Sequence, residues 1–217
     1  MIDSRMEAVM NFVGAGSRVV DVGADHGYLS IELARRGRAA RVIATEKNIG
    51  PCEAARKNIS AAQLDGAIEL RLGDGLKVLS AGEVDTICIA GMGGALIEKI
   101  LDDAPEVVHA ADRLILQPMN GAKKIRAWLA ENSWAIVDED LAESSGIIYE
   151  IICAEKNPSE KIFKRETSPL LKKFLTQRLE KLERVLAEMS KSDSARTSEK
   201  FSATLAEVHA LKKFFAR

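Results

Sequence analysis

Asp21, Gly23, Asp25, His26 and Gly27 fall within seven residues of the stretch VVDVGADHGYLS, residues 19–30, between an apolar run and a second run with helical spacing. A strand, a glycine-bearing turn and a helix in that order place backbone N–H groups and a helix N-terminus at the end of a sheet, where a nucleotide can be held. The pyrophosphate of a dinucleotide requires G-x-G-x-x-G. Counted from Gly23, the second glycine position is Asp25 and the third is Tyr28. The template fails, and Asp25 sets a negative charge where phosphates would lie. A cationic ligand suits the turn better. S-adenosylmethionine has no phosphate; it presents a sulfonium, an ammonium, a carboxylate, a ribose diol and an adenine. A carboxylate beside the loop is then favourable, because it accepts hydrogen bonds from an ionised donor.

Further acids stand where such a ligand would need them. Glu46, followed by Lys47, ends a second apolar run 23 residues after Gly23, placed to accept from both ribose hydroxyls. Asp74, followed by Gly75, ends a third in RLGDGL, placed to meet an adenine amino group. The run IAGMGG, residues 89–94, ends a fourth and supplies Ala90, Gly91 and Met92 as a small-residue lining. One such acid alone would more readily be a cap of the following helix. Three at successive strand ends favour a methyl-donor pocket.

The elements that must position these residues are legible from periodicity. Buried-strand runs occur at 18–22, 41–45, 68–72, 84–90 and 113–117, with helical patterns at 28–36, 50–62, 93–103 and 121–132 between them. That alternation predicts a parallel sheet with helices on both faces, an α/β fold. Residues 134–141 and 147–154 flank AESSG without an intervening helix, which predicts an antiparallel hairpin and brings the strand count to seven. Beyond residue 161 the strand signal stops. Leu171, Leu175, Leu179, Leu182, Leu186 and Met189 form one helical stripe, and Phe201, Leu205, Val208, Leu211 and Phe215 form another across the polar break 190–198. The expected organisation is a domain over 1–157 and a two-helix, coiled-coil-like domain over 158–217, divided near Pro158.

Composition sets the outer limits. The chain has 217 residues with a net charge of −1, which conceals an asymmetry. Residues 1–155 carry 16 Lys and Arg against 24 Asp and Glu, and residues 156–217 carry 15 against 8. A basic segment on an acidic body can contact nucleic acid, although long exposed helices are often Lys-rich for no such reason. Lys161, Lys164, Arg165, Lys172, Lys173, Arg178, Lys181 and Arg184 cluster in the first C-terminal helix. No apolar run approaches the ~20 residues that span a bilayer, and MIDSRMEAVMNFV lacks the continuous apolar core of a signal peptide. Cys52, Cys88 and Cys153 are widely spaced and odd in number, as expected of reduced core thiols in a cytoplasmic protein. No His, Cys or Asp spacing suggests a metal, and methyl transfer needs none. Trp128, Trp134 and Tyr149 read as packing between the last helix and the hairpin, and His109 and His209 as surface residues.

DVGADHGYLS, LGDGL, ICIAGMGG, LILQP and YEIICAE together resemble the bacterial tRNA (adenine-N1)-methyltransferases that act at adenine 22, the TrmK family. The similarity runs in consistent order from about residue 5 to 156. It implies a class I methyltransferase domain of seven strands, a Rossmann-like sheet with its last strand antiparallel, followed by a coiled-coil-like C-terminal helical pair. It also implies methyl transfer from S-adenosylmethionine to N1 of a tRNA adenine, leaving S-adenosylhomocysteine. In the family Asn commonly follows Pro directly in the last motif; here Met119 intervenes before Asn120, so which amide meets the base is open.

Adenine N1 carries an in-plane lone pair and needs no base to expose it, but in a duplex it is committed to pairing and the base must be taken out. The product base is cationic, so a nearby carboxylate would stabilise it. Asp25 is the first candidate, His26 the second, with Tyr28 as a stacking surface. Gln117 and Asn120 in LILQPMNG could read an adenine edge or simply shape the loop. The expected partner is tRNA, gripped in part by the basic C-terminal helices, with no membrane contact; a monomer or weak dimer is expected. Two rivals stay open: a class I methyltransferase for a small molecule or protein that uses the C-terminal helices to dimerise, and a non-catalytic RNA- or partner-binding module that has kept the pocket.

Overall fold

Near-continuous apolar runs are covered on both faces of a sheet, and the runs of this chain become its central strands. A computed structural model describes residues 2–156, 158 and 167–216. Helix α1 (Ser4–Asn11) leads into β1 (Ser17–Val22), α2 (Tyr28–Arg35), β2 (Ala39–Glu46), α3 (Ile49–Ala61) and β3 (Ile68–Leu72). Then follow β4 (Thr86–Gly93), α4 (Gly94–Asp102), α5 (Pro105–Ala110), β5 (Arg113–Asn120) and α6 (Ala122–Glu131), and the hairpin β6 (Ala135–Ser144) with β7 (Ile147–Glu155). The seven strands stand in the order β3-β2-β1-β4-β5-β7-β6. Strands β1 to β5 are parallel, and β7 is antiparallel to both β5 and β6. All seven expected strands are present, and the hairpin closes one edge.

Two apolar layers hold the sheet. Val20, Ile87, Ile89, Leu114 and Leu116 point into one, which Ile97, Leu101, Ile125 and Leu129 complete from α4 and α6. Val19, Val42, Cys88 and Ile115 point into the other, against Val9, Met10, Leu33 and Ile59 from α1, α2 and α3. The three cysteines are buried, and none is in a disulfide. Trp128 and Trp134 lie in the first layer, and Trp128 Nε1 donates to Asp102 at 2.7 Å. Tyr149 is only half-buried, and its ring carries the Arg5 guanidinium 5.5 Å from its centroid. His109 is exposed and its ring meets the Pro105 carbonyl, and His209 is exposed.

Strand order reverses between β1 and β4, with β2 and β3 on one side and β5, β7 and β6 on the other. At such a switch point the loops leave in opposite directions and open a crevice at the carboxyl ends of the strands. Two segments run further than periodicity indicates. β4 continues through Gly91–Gly93 with two shifts of register, and β5 continues through Pro118 to Asn120. Glycine and proline are poor strand residues, which hides both extensions. The helices α1 and α5, of eight and six residues, are too short for a repeating apolar stripe to declare them.

The chain divides into two units, Met1–Ser168 and Pro169–Arg217. The second contains α7 (Leu171–Met189), the single turn α8 (Asp193–Arg196) inside the expected polar break, and α9 (Glu199–Phe215). The stripe of α7 is half-buried; in α9 Val208 is buried while Leu205 and Phe215 are exposed, Phe174 is buried on α7, and Arg178–Glu207 and Lys212–Glu183 ion pairs join the two long helices. The expected boundary at 157/158 adjoins 159–166; that segment and Asn157, with Lys161, Lys164 and Arg165 of the basic cluster, lie outside the described residues.

Candidate active site

The first turn is folded onto the end of β2. The N–H groups of Gly23 and Ala24 both donate to the Thr45 carbonyl, at 2.8 and 2.9 Å. Gly23 adopts a φ of +70°, a left-handed conformation that glycine takes without steric cost. Asp25 takes a φ of 51°, which a short polar side chain tolerates better than most. Gly27 closes the turn by donating to the Ala24 carbonyl at 2.7 Å and becomes the N-cap of α2.

Asp21 does not face the crevice. Its carboxylate is turned beneath the turn and accepts from Ser30 Oγ at 2.6 Å. Burial pushes its pKa up to about 6, against the lowering effect of the Ser30 hydrogen bonds. It therefore supports the turn from below. Glu46 ties two loops together: one oxygen accepts from Asn48 N and Nδ2 at 2.8 and 2.9 Å, the other from Asp25 N at 3.3 Å. A carboxylate offers about four acceptor positions, so roughly one remains for a ligand. Asp74 is well exposed and pairs with Lys77 at 3.0 Å.

Between these loops lies a cavity of about 140 Å³. Of the residues expected to hold a cofactor, Gly23, Glu46, Lys47, Asp74, Gly75 and Met92 line it; Asp21, Asp25, His26, Gly27, Ala90 and Gly91 do not. Thr45, Asn48, Leu96 and Ile100 line it too and carry no sequence signal beyond their neighbourhood. Leu96, 42% accessible, and Ile100 give the lining an apolar side, and Ile49 and Leu72, next in sequence to the lining residues Asn48 and Gly73, are exposed as well. A larger cleft, about 440 Å³, opens at the other end of the sheet against Ser17, Asp85 and Arg113. Its main charges are already paired, Asp85 with Arg18 and Arg113 with Glu155. Open sheets bind ligands at their carboxyl ends, so the smaller cavity is the candidate.

The remaining candidates form a rim. The His26 and Tyr28 rings are stacked, with centroids 5.7 Å apart and planes 19° from parallel, and both are substantially exposed. Asp25 Oδ2 stands 3.8 Å from His26 Nε2. Tyr28 looks outward onto a second groove, between α2 and α3, with Ile31 and Asn58. Asn120 is exposed and pairs with Gly93 across the ends of β5 and β4. Gln117 is not. It is wholly buried, and its carboxamide oxygen accepts from Gly91 N at 3.0 Å and Arg5 Nη1 at 3.2 Å. Of the two amides expected to read a base edge, only Asn120 reaches the surface; Gln117 anchors the turn beside it. Sequence reasoning misses Arg5, which lies more than a hundred positions from Gln117 and Met119. Among the described residues no group of three or more His, Cys, Asp or Glu could hold a metal ion.

A family model described as "Methyltransferase domain" matches residues 2–152. The chain is 38% identical over 154 residues to the tRNA (adenine(22)-N(1))-methyltransferase of Bacillus subtilis, a match that takes in 71% of this chain and 65% of that protein. It thus spans just under two thirds of that curated relative. Among solved structures, the B. subtilis M1A22 tRNA methyltransferase TrmK superposes with a TM-score of 0.85 at 29% identity, over 98% of both chains. A candidate tRNA (m1A22) methyltransferase of Streptococcus pneumoniae, in complex with S-adenosyl-L-methionine, gives 0.84 at 34% identity, over 98% of this chain and 99% of that one.

Proposed function

The chain belongs to the family of tRNA (adenine(22)-N(1))-methyltransferases, and we propose that it transfers a methyl group from S-adenosylmethionine to N1 of an adenine in tRNA, at position 22. The observation that carries the proposal is the crevice between β1 and β4, where Gly23 brings bare backbone to the cavity and the Glu46 carboxylate stands inside it. That donor set fits the cofactor's ribose and cationic groups and offers no cradle for a pyrophosphate. Glu46 and Asp74 would accept from its hydroxyls and amino group, and Leu96 and Ile100 would cover its adenine.

S-adenosylmethionine supplies the electrophilic methyl carbon. The protein's part is to bring N1 into line with it, which accounts for much of the rate when the geometry is held tightly. Asn120, beside Gly93, offers both a donor and an acceptor to the edge of the adenine. The His26–Tyr28 pair offers an aromatic surface for a base out of its stack. Asp25 is fixed by the bond of its own N–H to Glu46, which leaves its carboxylate free to face the charge that arrives on the base. The basic C-terminal helices would hold tRNA phosphates, with Lys172 and Lys181 exposed along α7. Buried reduced thiols and an RNA substrate both suit the cytoplasm.

The test uses labelled methyl donor, unmodified tRNA transcripts, and digestion to nucleosides. Label is expected in 1-methyladenosine at position 22. Label in another nucleoside, or calorimetric binding of NADH without binding of S-adenosylmethionine, would remove the reading.

A further inference from the structure

We propose that Arg5 is a positioning residue for the methyl-acceptor side of the site, acting through Gln117 on the turn Gly91–Gly93; the proposal rests on the functional reading above. The need for such a device lies in the backbone. β4 and β5 pair regularly up to Ala90 and Gln117, and then Met92 comes opposite Pro118 and Gly93 opposite Asn120, with the register shifting twice. Pro118 has no N–H to give to the ladder. Gly91, at a φ of +76°, is the irregular residue in β4 where the register first shifts. Gly91 is itself exposed, and the register shift leaves it without a partner in the ladder. Gln117 provides the missing acceptor from its side chain, at 3.0 Å.

An amide side chain alone would hold this turn loosely, since Gln117 could rotate and present its NH2 group instead. Arg5 removes that freedom. Nη1 donates to the same Gln117 oxygen at 3.2 Å and approaches Met119 Sδ at 3.4 Å, so the oxygen must face Gly91 and the arginine. The guanidinium is itself clamped over the Tyr149 ring of β7. Its helix is tethered to the β6–β7 hairpin: Asp3 caps Met6 N at 3.0 Å and accepts from Ser144 Oγ at 2.8 Å, while Ser4 Oγ donates to the Glu143 carbonyl. Arg5 Nε is buried without a hydrogen bond, 3.6 Å from the Asp3 carboxylate. The side chain accepts that loss while one nitrogen, Nη1, serves both Gln117 and Met119. Through those two residues it sets both segments that carry the acceptor rim, Gly91–Gly93 and Met119–Asn120. With a side-chain exposure of 18%, it is mostly covered from a bulky substrate.

The experiment compares wild type with Arg5→Met, Arg5→Lys, Gln117→Ala and the double variant Arg5→Met/Gln117→Ala. A misplacement of about 1 Å at a reacting centre costs on the order of 100-fold, so kcat on tRNA should fall by ~10- to 100-fold in Arg5→Met. The Kd for S-adenosylmethionine and the KM for tRNA should each stay within about threefold. Because the two residues act as one unit, the double variant should be no slower than the worse single one. Amide exchange of residues 88–95 should quicken by ~10-fold or more while the β1 and β5 amides keep their protection. Arg5→Lys keeps the charge but loses the planar guanidinium that lies over Tyr149, and should be intermediate; it carries the test if Arg5→Met fails to fold. Unchanged exchange at 88–95, additive losses in the double variant, or a rise in KM alone, which would mark Arg5 as a residue that touches tRNA, would each overturn the proposal. A wild-type protein inert on tRNA overturns the functional reading instead, while the exchange measurement still decides whether Arg5 holds the turn.

Discussion

Gly23 and Met92 face each other across the crevice so closely that a β-carbon at position 23 would collide with Met92 Cε. The methionine tip is flexible and could give way, but only by swinging into the cavity that it also lines. The left-handed φ at position 23 adds a backbone cost of about 1–2 kcal/mol for alanine. Gly23→Ala should therefore fold and lose affinity for S-adenosylmethionine by ~10-fold or more, read by titration calorimetry. Gly23→Ala combined with Met92→Ala should recover part of that loss.

Glu46 holds its two loops as an acceptor of three hydrogen bonds. Glu46→Gln places an NH2 group against at least one N–H, which leaves a buried donor unpaired at a cost of about 1–3 kcal/mol. Cofactor affinity should fall on the order of tenfold or more. A neutral result would mean that neither the loop tie nor a ribose hydrogen bond depends on the charge.

Asp25 has an exposed carboxylate whose backbone is already fixed. Asp25→Ala should reduce kcat by roughly 100-fold, the scale of removing one electrostatic partner from developing charge. The Kd for the cofactor should change less than about threefold. Wild-type turnover in this variant would remove Asp25 from the chemistry.

Asp21 makes stability depend on pH. Its folded pKa is raised from 3.8 to about 6 by burial, so the folded protein binds the proton more tightly than the unfolded chain does. The associated stability is fully present below about pH 3.8 and is lost as pH rises through about 6. The whole displacement is worth about 3 kcal/mol. Asp21→Asn keeps an acceptor for Ser30 and never ionises. Its melting temperature relative to wild type should climb between about pH 4 and 6 and level off above that; a constant offset would show that Asp21 is not buried in this way.

The proposed contact of tRNA with the basic residues of α7 and α9 can be tested by its salt dependence. Lys172, Lys181 and Lys213 are exposed. For every tRNA phosphate left without its lysine, the slope of log affinity against log salt should shrink by about 0.7 to 0.9. The triple Lys→Gln variant should bind tRNA more weakly with a shallower salt dependence and keep its cofactor affinity. An unchanged slope would take these helices out of the RNA interface.

The order of strands and helices is readable in the sequence because each element is a local matter. Alternating apolar runs mark strands, threefold and fourfold spacing marks helices, and AESSG marks the hairpin that ends the sheet. The acids at successive strand ends, Glu46 and Asp74, are readable for the same reason: a strand's carboxyl end is a position in the chain. Their neighbourhood is also enough to point to a cofactor without phosphates.

Which way each side chain turns is not readable there. Asp21 and Asp25 have the same chemistry four residues apart, yet one lies under the turn on Ser30 and the other stands on the rim. Gln117 and Asn120 look interchangeable in LILQPMNG, and the register shift opposite Pro118 buries one and exposes the other. Arg5 belongs to a short opening helix with no periodic signal, and only the tether from Asp3 and Ser4 to the β6–β7 hairpin brings it to Gln117. Local spacing decides what elements form and where their ends fall. Long-range packing decides which polar groups those ends are left to share, because a buried donor must find its acceptor wherever the fold has carried it.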